Sequence, residues 1–154
     1  MIEIGIVGLL ASADLLIKGR IEKEPQENFP RSLPCSKGWI TLQKFHNDGF
    51  PFGFLREHFF LVKAASLTVT SAVMIYLCRL IPRKGYQMEK AAMVLVLGGA
   101  LSNLYDRFVR QYVVDYFTIE AGRLKKVIFN LGDIFVFIGS ALFLLASVRD
   151  DLRS

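Results

Sequence analysis

Four long apolar runs limit what this chain can fold into. They cover residues 2–17, 59–78, 91–105 and 127–148 and contain few charged residues. The chain of 154 residues is 53% hydrophobic, which is too apolar for an ordinary soluble domain of this size. A helix needs about 20 apolar residues to cross a bilayer. The second and fourth runs meet this length, and the other two meet it when their polar flanks lie at the membrane interface.

We therefore expect an all-α membrane protein. Its four transmembrane helices should lie at about residues 2–18, 59–78, 91–107 and 127–148. Four spans use most of the chain and leave no room for a separate soluble domain. The whole sequence, residues 1–154, should form a single membrane-embedded domain.

The segment between the first two runs, at about residues 20–56, has a different composition. Residues 20–36 are rich in proline, glutamate and lysine, which is typical of a loop. Residues 39–45 alternate apolar and polar side chains, a pattern that predicts a half-buried strand. The sequence Asn47-Asp48-Gly49 then predicts a turn. A strand beside a membrane helix predicts a small β-platform on the bilayer surface.

Two aspartates stand where a membrane protein can least accommodate them. Asp133 lies inside the fourth apolar run, and Asp115 lies in the short stretch 112–117 just before it. A carboxylate that faces hydrocarbon costs several kcal/mol, so an intramembrane aspartate marks a candidate functional site. Two close carboxylates also suit acid–base hydrolysis, because one can stay protonated while the other is ionised. We therefore take Asp115 and Asp133 as the candidate catalytic pair.

Asp14 and Lys18 are four residues apart and would share one face of the first helix. Two interpretations remain open for them. They form an ion pair that closes the span, or Lys18 anchors a carbonyl or a lipid headgroup while Asp14 holds it in place. The small residues of the third run, Gly98, Gly99 and Ser102, indicate close packing of helices.

Asn103, Asp106 and Arg107 would also share a helix face. The planar guanidinium of Arg107 suits bracing a loop or a substrate backbone; the alternative is a helix-end cap with an interfacial anchor. Asn130 shares a face with Asp133, and Gly132 between them allows another backbone to approach closely. A purely structural Asp133 would instead form a buried salt bridge with Arg107 or Lys18.

Composition argues against several other classes of function. The net charge of +5 would suit nucleic acid, but the basic residues lie beside apolar runs, which favours contact with lipid headgroups. Cys35 and Cys78 would lie near opposite membrane faces and could not pair. Neither they nor His46 and His58 have the spacing of a metal site. We expect no nucleic-acid partner, no metal and no cofactor.

The orientation and the fate of the N-terminus are less constrained. The positive-inside rule places loops rich in Lys and Arg in the cytoplasm. The raw count of Lys and Arg disfavours a four-span arrangement with both termini inside, but charge alone does not decide the orientation. Residues 4–10 followed by Ala11-Ser12-Ala13 resemble a cleavable signal peptide. The preceding residues lack Lys and Arg, so a retained helix is favoured.

Taken in order, these motifs resemble the lipoprotein signal peptidases (signal peptidase II), the membrane aspartyl peptidases of bacteria. The resemblance covers nearly the whole chain. The matching positions are Asp14 and Lys18; Asn47, Gly49, Phe52 and Gly53; the block Gly98 to Arg107 followed by Tyr112 to Tyr116; and Phe129 to Asp133. Any one motif would be weak, but their combination at this spacing is highly specific.

The resemblance implies four transmembrane helices with both termini in the cytoplasm and an extracytoplasmic β-platform. It implies a monomeric, multi-pass enzyme of the bacterial inner membrane. Its substrates would be diacylglyceryl prolipoproteins, cleaved just before the lipid-modified cysteine, and its other partners membrane lipids. The catalytic dyad carries over to Asp115 and Asp133. Binding and support roles carry over to Asp14, Lys18, Asn47, Gly49, Asn103, Asp106, Arg107 and Asn130.

The chain departs from the family pattern at Phe50-Pro51, where two small residues are usual, and at Gly132, where alanine is usual. Bulk at Phe50-Pro51 is expected to narrow the substrate entrance. Two rival functions remain. One is a catalytically altered relative that binds lipopeptides as an accessory or immunity factor. The other is a small transporter or channel component, which the clustering of polar residues toward one side disfavours.

Overall fold

The computed structural model describes residues 2–48 and 59–151, without the side chains of the last two residues of the second range. This part of the chain contains four α-helices. They are α1 (Ile2–Lys23), α2 (Phe59–Leu80), α3 (Gln87–Tyr105) and α4 (Leu131–Asp151). A π-helical turn, Asp106–Arg110, continues α3.

Helix α3 packs against each of the other three helices and forms the centre of the bundle. An apolar core that includes Val7, Leu77 and Leu97 joins α1, α2 and α3. Glycines let α3 and α4 approach closely, because a Cβ at Gly99 would collide with the carbonyl oxygen of Gly132. A Cβ at Gly132 would lie only 3.0 Å from the Gly99 carbonyl oxygen. The close backbone approach expected at Gly132 is therefore present.

Three helical segments are long and apolar enough to cross a membrane, namely Phe59–Leu80, Gln87–Arg110 and Leu131–Arg149. The expectation of four such spans is met in part. Helix α1 has 22 residues, but its charged side chains make it more polar than the other three. Two of those charges, Asp14 and Lys18, are fully buried inside the protein.

A three-stranded antiparallel sheet in the order β1-β2-β3 lies at one end of the bundle. Its strands are β1 (Arg31–Ser32), β2 (Ile40–Asn47) and β3 (Val113–Ile119). The strand predicted at residues 39–45 is thus confirmed as β2. Strand β3 was not predicted, and it carries Asp115 opposite Phe45 of β2.

The fourth apolar run becomes helical later than expected. Helix α4 begins at Leu131, whereas Phe129 pairs with Phe117 of β3 as an isolated bridge. The span predicted from residue 127 is therefore wrong at its start, because the backbone of Phe129 bonds to the sheet. Asp133 consequently lies in the first turn of α4.

Candidate active site

A cavity of about 900 Å³ lies where the sheet meets α2, α3 and α4. Most of its lining is apolar, with Val69 of α2 and Phe137 of α4 among the side chains that form its walls. Five of the predicted site residues converge on this cavity: Asn47, Asn103, Arg107, Asp115 and Asp133. The sheet and three helices thus bring together polar groups that are far apart in the sequence.

Strand β3 holds Asp115 in the wall of the cavity, where the residue is only 4% exposed. Asn47, at the end of β2, donates its Nδ2–H to Asp115 Oδ2 at 3.0 Å. Asn130 donates its Nδ2–H to Asp115 Oδ1 at 2.7 Å. Burial raises the pKa of the Asp115 carboxyl to about 7, and the negative charge of Asp133 acts in the same direction. Near neutral pH this carboxyl is therefore protonated in part of the molecules.

Asp133 is held by a reciprocal cap at the start of α4. Its Oδ2 accepts the backbone N–H of Asn130 at 3.1 Å, and its own N–H donates to Asn130 Oδ1 at 2.9 Å. This is the geometry of a capping box, which satisfies N–H groups that the first helical turn leaves unbonded. The remaining oxygen, Oδ1, accepts Asn103 Nδ2–H at 2.9 Å.

One side chain therefore connects the two aspartates. Asn130 caps the helix turn that carries Asp133 and donates to Asp115 at the same time. Each of the four carboxylate oxygens accepts a hydrogen bond from an amide group. The pair is thus fixed in orientation while both residues line the cavity. Such an arrangement suits the transfer of protons to and from a bound substrate.

Arg107 lines the same cavity from the π-helical turn. Its Nη1 donates to the backbone oxygen of Asn103 in a long contact of 3.4 Å. Its buried Nε has no hydrogen-bond partner within residues 2–48 and 59–151. A buried donor without a partner costs free energy, and here it is available to a ligand carbonyl. Asp133 accepts from Asn103 and Asn130 and makes no ion pair with Arg107 or Lys18 in the described ranges.

A second polar group, which we call the Lys18 cluster, lies behind the cavity and consists of Asp14, Lys18, Ser102 and Asp106. Lys18 Nζ lies 2.9 Å from Asp14 Oδ2 and 3.0 Å from Asp106 Oδ2, and all three side chains are fully buried. The ion pair expected between Asp14 and Lys18 is therefore present. The alternative contact of Lys18 with a headgroup is wrong, since Lys18 has no exposed surface.

The Lys18 cluster connects several elements of the fold. Lys18 Nζ also donates to Asn103 Oδ1 at 2.7 Å, and Asn103 in turn donates to Asp133. Asp106 accepts the N–H of Val114 at 3.1 Å and bonds to Arg110 at 2.7 Å. The cluster thus ties α1 and the end of α3 to the strand that carries Asp115.

Two residues with contacts in this region were missed by sequence reasoning. The sequence predicts only a packing role for Ser102, but its hydroxyl donates to Asp14 Oδ2 at 2.5 Å. The sequence predicts no role of its own for Tyr116, yet its hydroxyl donates to Asp14. The one signal for Tyr116 was its place directly after Asp115 on a segment rich in strand-forming residues. The predicted site residue Gly49 and the nearby Phe50-Pro51 lie outside the described residues.

Comparisons with known proteins agree with this geometry. Residues 6–149 match the family described as signal peptidase (SPase) II. The chain belongs to the signal peptidase II family. The lipoprotein signal peptidase of Serratia marcescens is 30% identical over 94% of this chain and 84% of its own length. That of Ectopseudomonas mendocina is 30% identical over 93% of this chain and 88% of its own length.

The fold is shared with solved structures. A bacterial membrane enzyme determined by the in meso method at 2.3 Å resolution superposes with a TM-score of 0.78. That likeness covers 97% of this chain and 88% of the other at 21% identity. A second bacterial membrane enzyme, at 1.9 Å resolution, gives a TM-score of 0.75. With its family and its three apolar helices, this signal peptidase II homologue is a membrane-bound peptidase.

Proposed function

We propose that this protein is a membrane aspartic endopeptidase that removes the signal peptide from diacylglyceryl-modified prolipoproteins. It cuts just before the lipid-modified cysteine. The observation that carries the proposal is the placement of Asp115 and Asp133. Both aspartates line one apolar cavity and both are held by Asn130. The membership in the signal peptidase II family supports the same reaction.

The two carboxyl groups divide the acid and base roles. Burial and the charge of Asp133 raise the pKa of Asp115, so Asp115 holds the proton. Asp133 is the ionised partner and the general base. Two interacting carboxyl groups titrate as a pair, with apparent pKa values that belong to both. The activity should therefore depend on pH as a bell-shaped curve.

The reaction follows from that division. Asp133 takes a proton from a water molecule, and the water oxygen forms a bond to the scissile carbonyl carbon. Asp115 donates its proton to the carbonyl oxygen as that oxygen gains charge. The tetrahedral intermediate then collapses: one of its hydroxyl groups returns a proton to Asp115 as the C=O bond re-forms. The C–N bond breaks, and the leaving amine takes up the proton held by Asp133. The amine is the new N-terminus of the lipid-modified cysteine.

The cavity supplies the contacts that such a substrate needs. Its apolar walls on α2 and α4 suit acyl chains and the apolar end of a signal peptide. The Nε–H of Arg107, which has no partner among the described residues, suits a backbone carbonyl of the substrate. Asn47, Asn103 and Asn130 are engaged with the aspartates and hold them in register.

We further propose that α1 is a fourth transmembrane helix and that the chain is one domain, monomeric in the bacterial inner membrane. Before its last turn, most of the exposed side chains of α1 are apolar, among them Ile2, Leu9 and Leu16 at 79%, 70% and 68% exposure. Its charges at Asp14 and Lys18 face inward, with no exposed surface. Both termini would lie in the cytoplasm and the sheet on the opposite side.

The rival functions fit the site less well. A lipopeptide-binding relative without activity has no need for two aspartates bonded to the same asparagine. A proton-relaying transporter needs polar groups through the full depth of the membrane. Here the polar side chains of the cavity gather near the sheet.

The test is a cleavage assay in detergent. Purified protein is mixed with a preprolipoprotein that carries the diacylglyceryl group, and release of the signal peptide is measured. We expect cleavage by the unaltered protein and a loss of at least about 1,000-fold for Asp133→Asn, which cannot accept and return the proton. Glu27→Gln, a similar change at an exposed position, should retain full activity. No cleavage by the unaltered protein, or near-normal cleavage by Asp133→Asn, would contradict the proposal.

A further inference from the structure

Tyr116 is buried between the strand of one catalytic aspartate and the helix of the other. The residue is 4% exposed and packs with Ile21 and Val114 in the apolar core between α1 and the sheet. Successive side chains of a strand point to opposite faces. Asp115 therefore faces the cavity, while its neighbour Tyr116 faces α1.

The Tyr116 hydroxyl makes two hydrogen bonds of opposite direction. It donates to Asp14 Oδ1 at 2.9 Å and accepts the backbone N–H of Leu131 at 2.9 Å. Leu131 is the first residue of α4, so its N–H is one of those that the helix itself cannot bond. Burial, with the charge of Asp14, raises the pKa of Tyr116, so the hydroxyl keeps its proton.

These bonds join the two halves of the dyad on the side away from the cavity. Tyr116 follows Asp115 directly in β3, and Leu131 precedes Asp133 by two residues in the first turn of α4. On the cavity side, Asn130 makes the corresponding connection. Backbone hydrogen bonds of Phe129 hold the segment just before α4 to β3. Two side-chain links then fix the first turn of α4 itself, one through Asn130 and one through Tyr116.

We propose that Tyr116 is a positioning residue for the reaction, and that its hydroxyl sets the separation of Asp115 and Asp133. The inference rests on the proposed peptidase function. Without the hydroxyl, the Leu131 N–H keeps only its 3.2 Å contact with Asp14 Oδ1. The first turn of α4 then shifts toward Asp14, and Asp133 shifts with it. The interaction between the two carboxyl groups changes as a result.

The experiment compares Tyr116→Phe with the unaltered enzyme in the same cleavage assay. Tyr105→Phe is the matched control, because it removes a hydroxyl from a residue that is 46% exposed on α3. Rates are expressed per folded molecule. We expect kcat of Tyr116→Phe to fall about tenfold and KM to change less than about twofold. The chemical step is more sensitive to the alignment of the two carboxyl groups than substrate binding is. Tyr105→Phe should match the unaltered enzyme.

The pH profile separates positioning from simple stabilisation of the fold. The spacing of the two apparent pKa values reports how strongly the carboxyl groups interact. In Tyr116→Phe we expect at least one limb of the profile to move by about half a pH unit or more. A variant with a lower melting temperature but with kcat and pH profile unchanged would overturn the inference. An unaltered enzyme that does not cleave would overturn the proposed function and the inference together.

A second variant covers the case in which Tyr116→Phe does not fold. Difluorotyrosine at position 116 keeps the ring and the hydroxyl but makes the hydroxyl a stronger donor and a weaker acceptor. The bond to Asp14 then strengthens and the bond from Leu131 weakens. We expect a change in kcat of about two- to threefold with KM unaltered. A rate and pH profile identical to those of the unaltered enzyme would overturn the inference.

Discussion

The Lys18 cluster and the Asp115–Asp133 dyad are both groups of buried charged residues. They differ in their bonding partners and in whether their carboxyl groups are accessible from the cavity. In the Lys18 cluster, Lys18 lies between Asp14 and Asp106, and none of the three is exposed. In the part of the chain that the structure describes, the dyad has no cation as a direct partner, and its donors are amide groups. Both aspartates of the dyad also line the cavity.

The difference separates a structural role from a chemical one. The carboxylates of Asp14 and Asp106 both bond to the Lys18 ammonium, and these bonds connect α1 to the end of α3. A carboxyl that is buried beside a second carboxylate is kept near the point of protonation, as the raised pKa of Asp115 shows. Intramembrane carboxylates are therefore best compared by their partners, because burial alone is common to both groups.

The largest effect on folding is expected from breaking the Lys18 cluster. Lys18→Met keeps the length of the side chain but leaves Asp14 and Asp106 buried without their shared cation. Removing one partner of a buried ion pair typically costs about 3–5 kcal/mol. The free energy of unfolding in detergent should fall by that amount.

Lys125→Met is the control for that variant. Lys125 lies 3.8 Å from Glu120 in an ion pair whose lysine side chain is 55% exposed. Exposed pairs contribute about 0–1 kcal/mol, so this variant should unfold like the unaltered protein. Equal stability of the two variants would show that the Lys18 cluster does not hold the fold together.

Smaller effects are expected from substitutions of the two arginines of the π-helical turn, one on kcat/KM and the other on stability. Arg107→Gln removes a donor from the cavity, so kcat/KM should fall about 10–100-fold with little change in unfolding. Arg110→Gln removes a partner of buried Asp106 and should cost about 1–3 kcal/mol of stability. Its kcat/KM, calculated per folded molecule, should stay close to normal. If both variants lost stability and kept kcat/KM, Arg107 would belong with the structural residues.

Much of the site could be predicted from the sequence because its signals are local. The three-residue step from Asn130 to Asp133 predicts two side chains on one helix face, although the structure uses it as a helix cap. The four-residue step from Asp14 to Lys18 is that of a helical ion pair. Apolar length indicated each of the four helices, and Gly132 indicated the close approach of α3 and α4. These features need no knowledge of the tertiary structure.

The parts that could not be predicted depend on distant contacts. Lys18 and Asn103 are 85 residues apart, and no local pattern relates them. Strand β3 escaped prediction because its residues from Val113 to Tyr116 are all buried, so they lack the alternation of a half-buried strand. The role of Tyr116 follows only from the pairing of β3 with its neighbours in space. The orientation across the membrane is likewise not encoded in the charge count.

The difference between the Lys18 cluster and the Asp115–Asp133 dyad is tested most directly by Asp115→Asn. Cleavage and stability are measured on the same samples from about pH 5 to 8. The pKa of Asp115 is raised from its ordinary value of 3.8 to about 7 in the folded protein. The folded state therefore binds more protons than the unfolded state in this range, and stability falls as pH rises through the folded pKa. Asparagine does not ionise, so the stability of the variant does not show this decrease with rising pH.

We predict that Asp115→Asn loses at least about 1,000-fold in cleavage and gains stability over the unaltered protein, with a difference that grows from pH 5 to 8. That combination identifies a carboxyl whose charge is unfavourable to the fold and needed for the chemistry. The contradicting result is a variant that cleaves at a near-normal rate, or one that is destabilised most at high pH. Either outcome would place Asp115 with the structural carboxylates of the Lys18 cluster.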